Sequence, residues 1–156
     1  MDDVGLRPAT PADEELCYQL HRAAMRDDVE AVWGWDEADQ RDYHQRAFDP
    51  ARTRIITVGG RDAGVLIVDH RPAETYLGRN ELHPDHQGRG IGGRLIQQLL
   101  DDAAARHRPV VLDVLTVNPR AHQLYRRLGF QEVGRHGGNG IKIRMVAEPR
   151  RQAEGA

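Results

Sequence analysis

The chain of 156 residues has one cysteine, one lysine and only 5% aromatic residues. A lone Cys17 cannot close an intrachain disulfide, and its place on an expected helix makes it a small buried hydrophobe rather than a nucleophile. It has no second thiol with which to hold zinc, and the eight histidines show no ligand spacing, so no metal is indicated. Long hydrophobic runs are missing too. No apolar stretch approaches membrane-spanning length, and Met1-Asp2-Asp3-Val4 is acidic where a signal peptide would be basic. The expectation is a cytoplasmic protein with no membrane partner. A large charge of one sign is also lacking: a formal net charge of -2 offers nucleic acid no bulk electrostatic footing. Lys142 is the only lysine among 22 basic residues, which reads as compositional bias, so a single arginine needs further evidence before it counts as functional.

What is present describes a soluble globular chain, 39% hydrophobic with a mean hydropathy of -0.67. The length suits one domain, expected over residues 1–147, with 148–156 as a disordered tail. A short strand at 6–10 leads to a helix capped by Thr10 or Asp13, with Leu16, Leu20 and Ala24 on one face, fading near Arg26. Residues 27–36 read as irregular, and 37–48 as a helix capped by Asp36 and stopped by Asp49-Pro50. The β-branched runs 53–58 and 65–70 form a hairpin across 59–64, and 75–83 is the next strand. A helix over 90–106 carries Ile91, Leu95, Leu99 and Ala103 in register. A buried strand at 110–117, a helix at 120–128 ended by Gly129, and a hairpin of 131–136 with 141–146 complete the chain.

The stretch Gln87-Gly88-Arg89-Gly90-Ile91-Gly92-Gly93 carries the most information. Glycines let successive backbone N–H groups turn toward one point, and the helix that opens at Ile91 adds its unsatisfied first-turn donors and positive dipole end. Arg89 can add charge toward a phosphate. Gly88, Gly90 and Gly93 also fit a dinucleotide fingerprint, with Asp113 after the apolar run at 110–112. That motif belongs at a first strand-to-helix turn with a second mononucleotide half after it, and residues 94–156 are too few for one. The approach His83-Pro84-Asp85-His86 is not an apolar strand either, so the dinucleotide reading ranks low.

The order strand, Gln-x-x-Gly-x-Gly, helix, strand, then Asn118-Pro119-Arg120-Ala121-His122-Gln123-Leu124-Tyr125-Arg126-Arg127-Leu128-Gly129-Phe130 resembles the GCN5-related N-acetyltransferase (GNAT) superfamily. The resemblance implies an α/β GNAT fold. Its mixed central sheet would have about six to seven strands, splayed between the fourth and fifth, with about four flanking helices. It implies acetyl-CoA as co-substrate, with residues 87–93 (Gln87, Gly88, Arg89, Gly90, Ile91, Gly92, Gly93) around the pyrophosphate. Leu82 and His83 would offer backbone groups to the pantetheine arm, and Asn118 would hold that arm or brace the strand, or simply cap the following helix. Tyr125, at the matched position, is expected to act as general acid, since a phenol with a pKa near 10 stays protonated at neutral pH. Alternatively its ring is ordinary core.

The implied reaction is direct attack of a primary amine on the thioester. Glu81 and Asp113 are the candidate bases. Glu81 precedes the pantetheine-pairing segment, with an ion pair to Arg79 as its structural alternative. Asp113 stands in Val-Val-Leu-Asp-Val-Leu, where a carboxylate needs a partner, water or a raised pKa. Histidines 44, 70, 83 and 122 are further candidates. Trp33, Trp35 and Asp36, with Glu81, could receive a cationic amine through aromatic faces and carboxylates, or Asp36 could be only a cap. The expected acceptor is a small-molecule amine, a protein N-terminus being the alternative. A non-catalytic acyl-CoA-binding module is the rival outside catalysis, and oligomeric state is left open, a homodimer included.

Overall fold

The computed structural model describes residues 3–149; of the expected tail, 150–156 lie outside the described residues. The order of elements is β1 (Val4–Pro8), α1 (Glu14–Trp33), α2 (Glu37–Ala47), β2 (Thr53–Val58), β3 (Arg61–His70), β4 (Thr75–Leu82), α3 (Ile91–Ala105), β5 (Val110–Leu115), α4 (Pro119–Arg127), β6 (Gln131–His136) and β7 (Lys142–Ala147). The strands form one mixed sheet in the order β1-β2-β3-β4-β5-β7-β6. β4 and β5 run parallel, from Thr75↔Val110 to Leu77↔Leu112. This register takes three of β4's eight residues. The described chain packs as two compact units, residues 3–68 with 78–92, and residues 69–77 with 93–149.

In the first unit, Ile55 and Val65 alternate inward from β2 and β3 and meet Cys17 and Leu20 of α1 and Ala9, with Leu16, Phe48 and Ile67 packed around them. Each large side chain so buried contributes about 1.5–3 kcal/mol. Here α1 departs from the sequence expectation. It does not fade near Arg26 but runs 20 residues, because Val29 returns to the buried face and sustains the helical period through the polar Arg26-Asp27-Asp28. It ends where Gly34 takes φ +78° and donates its N–H to Glu30. β3 also begins earlier than expected, at Arg61, because the reversal is confined to Gly59 and Gly60, both at positive φ. Gly64 therefore lies within β3, where an added Cβ would stand 2.3 Å from the Glu81 carbonyl oxygen. Only glycine permits that approach.

The second unit takes its core from Leu95, Ile96, Leu99 and Ala103 of α3, Val110, Leu112 and Val114 of β5, and Ile143 and Met145 of β7, with Tyr125 and Phe130. β7 lies between β5 and β6 and is antiparallel to both. As expected, Gly129 follows α4 at φ +101°. Phe130 then donates its N–H to the Tyr125 carbonyl at 3.0 Å.

Candidate functional site

The end of β4 sorts its side chains by strand alternation. Asn80 and Leu82 lie on the face that meets Gly92 at the start of α3. Arg79 and Glu81 are on the other, where His21 of α1 is waiting. The backbone alternates too. His83 donates its N–H to the Ala63 carbonyl of β3 at 2.8 Å, and its own carbonyl accepts from His86 at 2.9 Å. His83, expected to offer backbone groups to a pantetheine arm, thus has its N–H in the sheet and its carbonyl engaged in the turn. In its ring, Nδ1 accepts the Asp85 N–H at 3.1 Å. Leu82 points its N–H and C=O away from β3, and the Gln87 side-chain amide donates to that carbonyl at 2.9 Å. Gln87 thereby anchors the loop to the strand.

The glycine loop has the geometry its composition implies. Gly88 and Gly90 take φ of +78° and +77°, and a Cβ at Gly90 would project into open space. Ile91 is buried and pins the first turn of α3, whose leading N–H groups, with Gly92 and Gly93, are without intrahelical acceptors. Side chains at Gly92 and Gly93 would come within 3.6 Å of Asn80 and 3.7 Å of Leu124, ordinary packing distances. The residues present thus fit a pyrophosphate: open space over positive-φ glycines, turned amides and a helix N-terminus, with Arg89 in the same loop.

Glu81 is buried, and the ion pair with Arg79 is not its principal contact. Arg79 Nε stands 4.0 Å away, whereas His21 Nδ1 lies 2.9 and 2.8 Å from the two carboxylate oxygens. The His21 ring is 4.0 Å from that of His44 and 6.3 Å from that of Trp35, centroid to centroid. Burial, then the charges of Arg79 and His21, push His44 down to about 3, so it is neutral at physiological pH. His44 also lines a cavity of about 150 Å³ with Cys17, Tyr18 and Arg79. Burial raises the Cys17 thiol to about 11, in keeping with a packing role. His21 escaped the sequence reading, yet it stands four residues after Cys17 on the apolar face of α1. A titratable group there needs a polar partner.

The aromatic acceptor site is not assembled as expected. Trp33 is the last residue of α1 and largely exposed. Trp35 donates from Nε1 to Glu37 at 2.9 Å, with Arg26 6.0 Å from its ring. Asp36 accepts the Asp39 N–H at 2.9 Å and is the cap of α2. The α1 extension sets Trp33 on the helix and Trp35 after its glycine stop.

In the second unit Asp113 is held on all sides. Arg144, its register partner on β7, donates twice at 3.2 and 3.1 Å, Tyr76 donates at 2.7 Å, and His136 Nε2 is 2.6 Å away. Burial opposes ionisation, but the hydrogen bonds from Arg144, His136 and Tyr76 outweigh it and hold the carboxyl down at about 2. A base of that strength takes few protons from an ammonium, so the structure favours the anchor reading over the base. Tyr125 is buried with its ring edge-on to Phe130, centroids 5.6 Å apart. Asn118 caps α4 by accepting the Ala121 N–H at 3.2 Å.

A seven-stranded mixed sheet with a parallel β4–β5 pair and a glycine-rich turn opening α3 define the class. The profile of the Acetyltransferase (GNAT) family matches residues 15–130, and the chain belongs to that family. It is 44% identical over 87 residues to the N-alpha-acetyltransferase RimI of Mycobacterium tuberculosis, covering 49% of this chain and 52% of that protein. It is 34% identical over 133 residues to an uncharacterized protein of Mycobacterium leprae, covering 80% of this chain and 34% of that one. The chain thus spans between a third and about half the length of these relatives. Among solved structures it matches the PaiA N-acetyltransferase of Thermoplasma acidophilum in complex with coenzyme A, with a TM-score of 0.76 at 13% identity over 94% of this chain and 99% of that one. It also matches the ribosomal-protein-S18-alanine N-acetyltransferase of Escherichia coli, with a TM-score of 0.69 at 21% identity over 99% of each chain. At these identities the structural likeness is one of fold. Among the described residues no helix is long and apolar enough to cross a membrane, and no group of three or more His, Cys, Asp or Glu side chains could hold a metal ion.

Proposed function

We propose that the chain transfers an acetyl group from acetyl-CoA to a primary amine by direct attack of the amine on the thioester. The observation that carries this is the turn at residues 87–93, with positive-φ glycines facing open space ahead of α3 in a member of the GNAT family. In this reading the amides of Gly88, Gly90 and the first turn of α3 hold the pyrophosphate. The Leu82 N–H stabilises the negative charge that develops on the thioester oxygen. Tyr125 gives its phenolic proton to the leaving thiolate, whose basicity is comparable. Glu81 takes part in removing the amine proton or in holding the acceptor, and Asp113 fixes β5 against β7.

The acceptor was expected to be a small molecule. The 44% identity with a protein named N-alpha-acetyltransferase favours the second reading, in which the amine is the α-amino group of a peptide. One screen tests both. Acetyl-CoA is offered with amino acids, polyamines, aminoglycosides and a set of peptides with free N-termini, and released thiol is followed. Turnover with a peptide and none with small amines selects the second reading. Acetyl-CoA binding without thiol release on any amine would leave only a binding module.

A further inference from the structure

The contact between His21 and Glu81 is longer in range than any motif: the residues are 60 positions apart, and both side chains are more than nine-tenths buried. A buried carboxylate costs several kcal/mol unless paired and hydrogen-bonded. A single ring nitrogen does both here, bridging the two oxygens at 2.9 and 2.8 Å. With Nδ1–H committed to Glu81, the neutral ring has its lone pair at Nε2. A carboxylate so placed fixes the tautomer and stabilises the imidazolium when the other nitrogen gains a proton. Around the pair stand His44 and Glu37 from α2, Arg79 from β4, Tyr18 and Arg26 from α1, and Trp35 from the segment between the helices. His44 is uncharged there, and Arg79 is a permanent cation 4.0 Å from the Glu81 carboxylate.

Resting on the acetyl-transfer reading, we propose that His21 and Glu81 form one proton-accepting dyad, in which Nε2 of His21 takes the amine proton and Glu81 holds the ring in the accepting tautomer. The amine nitrogen forms the C–N bond as the C–S bond breaks. Its proton passes to Nε2, directly or through one water, and leaves as the imidazolium returns to solvent equilibrium. The thiolate takes its proton from Tyr125, which is reprotonated from solvent, so the products are the amide and the free thiol.

The test is His21→Asn, whose side-chain amide can still donate to Glu81 from near the Nδ1 position but has no Nε2. The expected result is a fall in kcat of about 100-fold or more, little change in KM for acetyl-CoA, and loss of the acidic limb of the pH–kcat profile. Glu81→Gln should remove the same limb, and the double variant should be no slower than the worse single one. If His21 only braces the fold, His21→Asn keeps the limb and most of kcat, which overturns the dyad while wild-type turnover sustains the transfer reading. Absence of wild-type turnover on every amine would overturn both. A readout independent of activity is the 15N NMR of the histidine rings without substrates, the His21 signals being those lost in His21→Asn. Nδ1–H with an unprotonated Nε2 supports the dyad, and the opposite neutral tautomer overturns it; where the variant fails to fold, the wild-type His21 ring is assigned by correlation to its own backbone and read in the same way.

Discussion

Tyr125 acts as an acid only if its hydroxyl, and not its ring, is what the transition state uses. The ring is already accounted for by the edge-on contact with Phe130, so Tyr125→Phe separates the two roles. It keeps the packing and removes the proton. The expected outcome is a fall in kcat of about 100-fold or more with acetyl-CoA affinity within a few-fold of wild type by calorimetry; an unchanged kcat under conditions where chemistry limits the rate removes Tyr125 from the acid role. Asp113 gives the opposite expectation. Its carboxylate holds Arg144, His136 and Tyr76 at once, so Asp113→Asn should cost about 1–3 kcal/mol in urea unfolding while leaving the acidic limb of the pH–rate profile in place. Loss of that limb would return Asp113 to the candidate bases.

At the scale of elements, two glycines that look alike in the sequence have opposite sensitivities. Gly64 sits inside β3 with the Glu81 carbonyl oxygen 2.3 Å from where a Cβ would be. Gly64→Ala therefore has to move backbone, and should lower stability by about 1–3 kcal/mol and disturb the end of β4 that carries Glu81 and Leu82. Gly90 has open space where a Cβ would go but a φ of +77°, so Gly90→Ala should cost about 1–2 kcal/mol of backbone strain and act mainly on acetyl-CoA affinity, measured by titration against wild type. Equal acetyl-CoA affinity in the folded Gly90→Ala variant would argue against the loop as the pyrophosphate site. The pair also shows what was legible beforehand. The loop at 87–93, the Asn118 cap and the Gly129 stop are local patterns, each written within a few residues, and the structure keeps them. Gly64, the length of α1 and the His21–Glu81 contact depend on partners far along the chain, where no window of sequence holds both sides. That Trp33 ends a helix and does not stand in an irregular segment has the same origin, since the return of Val29 to the core carries α1 on to its glycine stop.

For the molecule as a whole, the buried ionisable groups shape how stability responds to acid, and the loss begins at a higher pH than a simple loss of ion pairs would give. His44 is neutral in the folded protein down to about pH 3, but in the unfolded chain it takes a proton near 6.5. The unfolded state then binds more protons than the folded one, so stability is full above about 6.5 and declines as the pH falls toward 3, by about 1.4 kcal/mol per pH unit. The carboxylates come later. The hydrogen bonds from Arg7 and from the Thr10 backbone hold Asp13 down at about 2, and Asp113 is likewise at about 2. Their contribution is present above the ordinary carboxylate range near 4 and is lost only as the pH falls from there toward 2. Acid unfolding should therefore have two stages, an early one belonging to a single buried histidine and a late one belonging to the carboxylates. His44→Phe keeps an aromatic ring beside His21 and Tyr18 and has nothing to protonate. Between pH 6.5 and 4.5 the wild-type unfolding free energy in urea should fall by about 2–3 kcal/mol, and the variant's should fall far less. Parallel slopes for the two proteins over that interval would mean that His44 takes its proton in the folded state as readily as in the unfolded one.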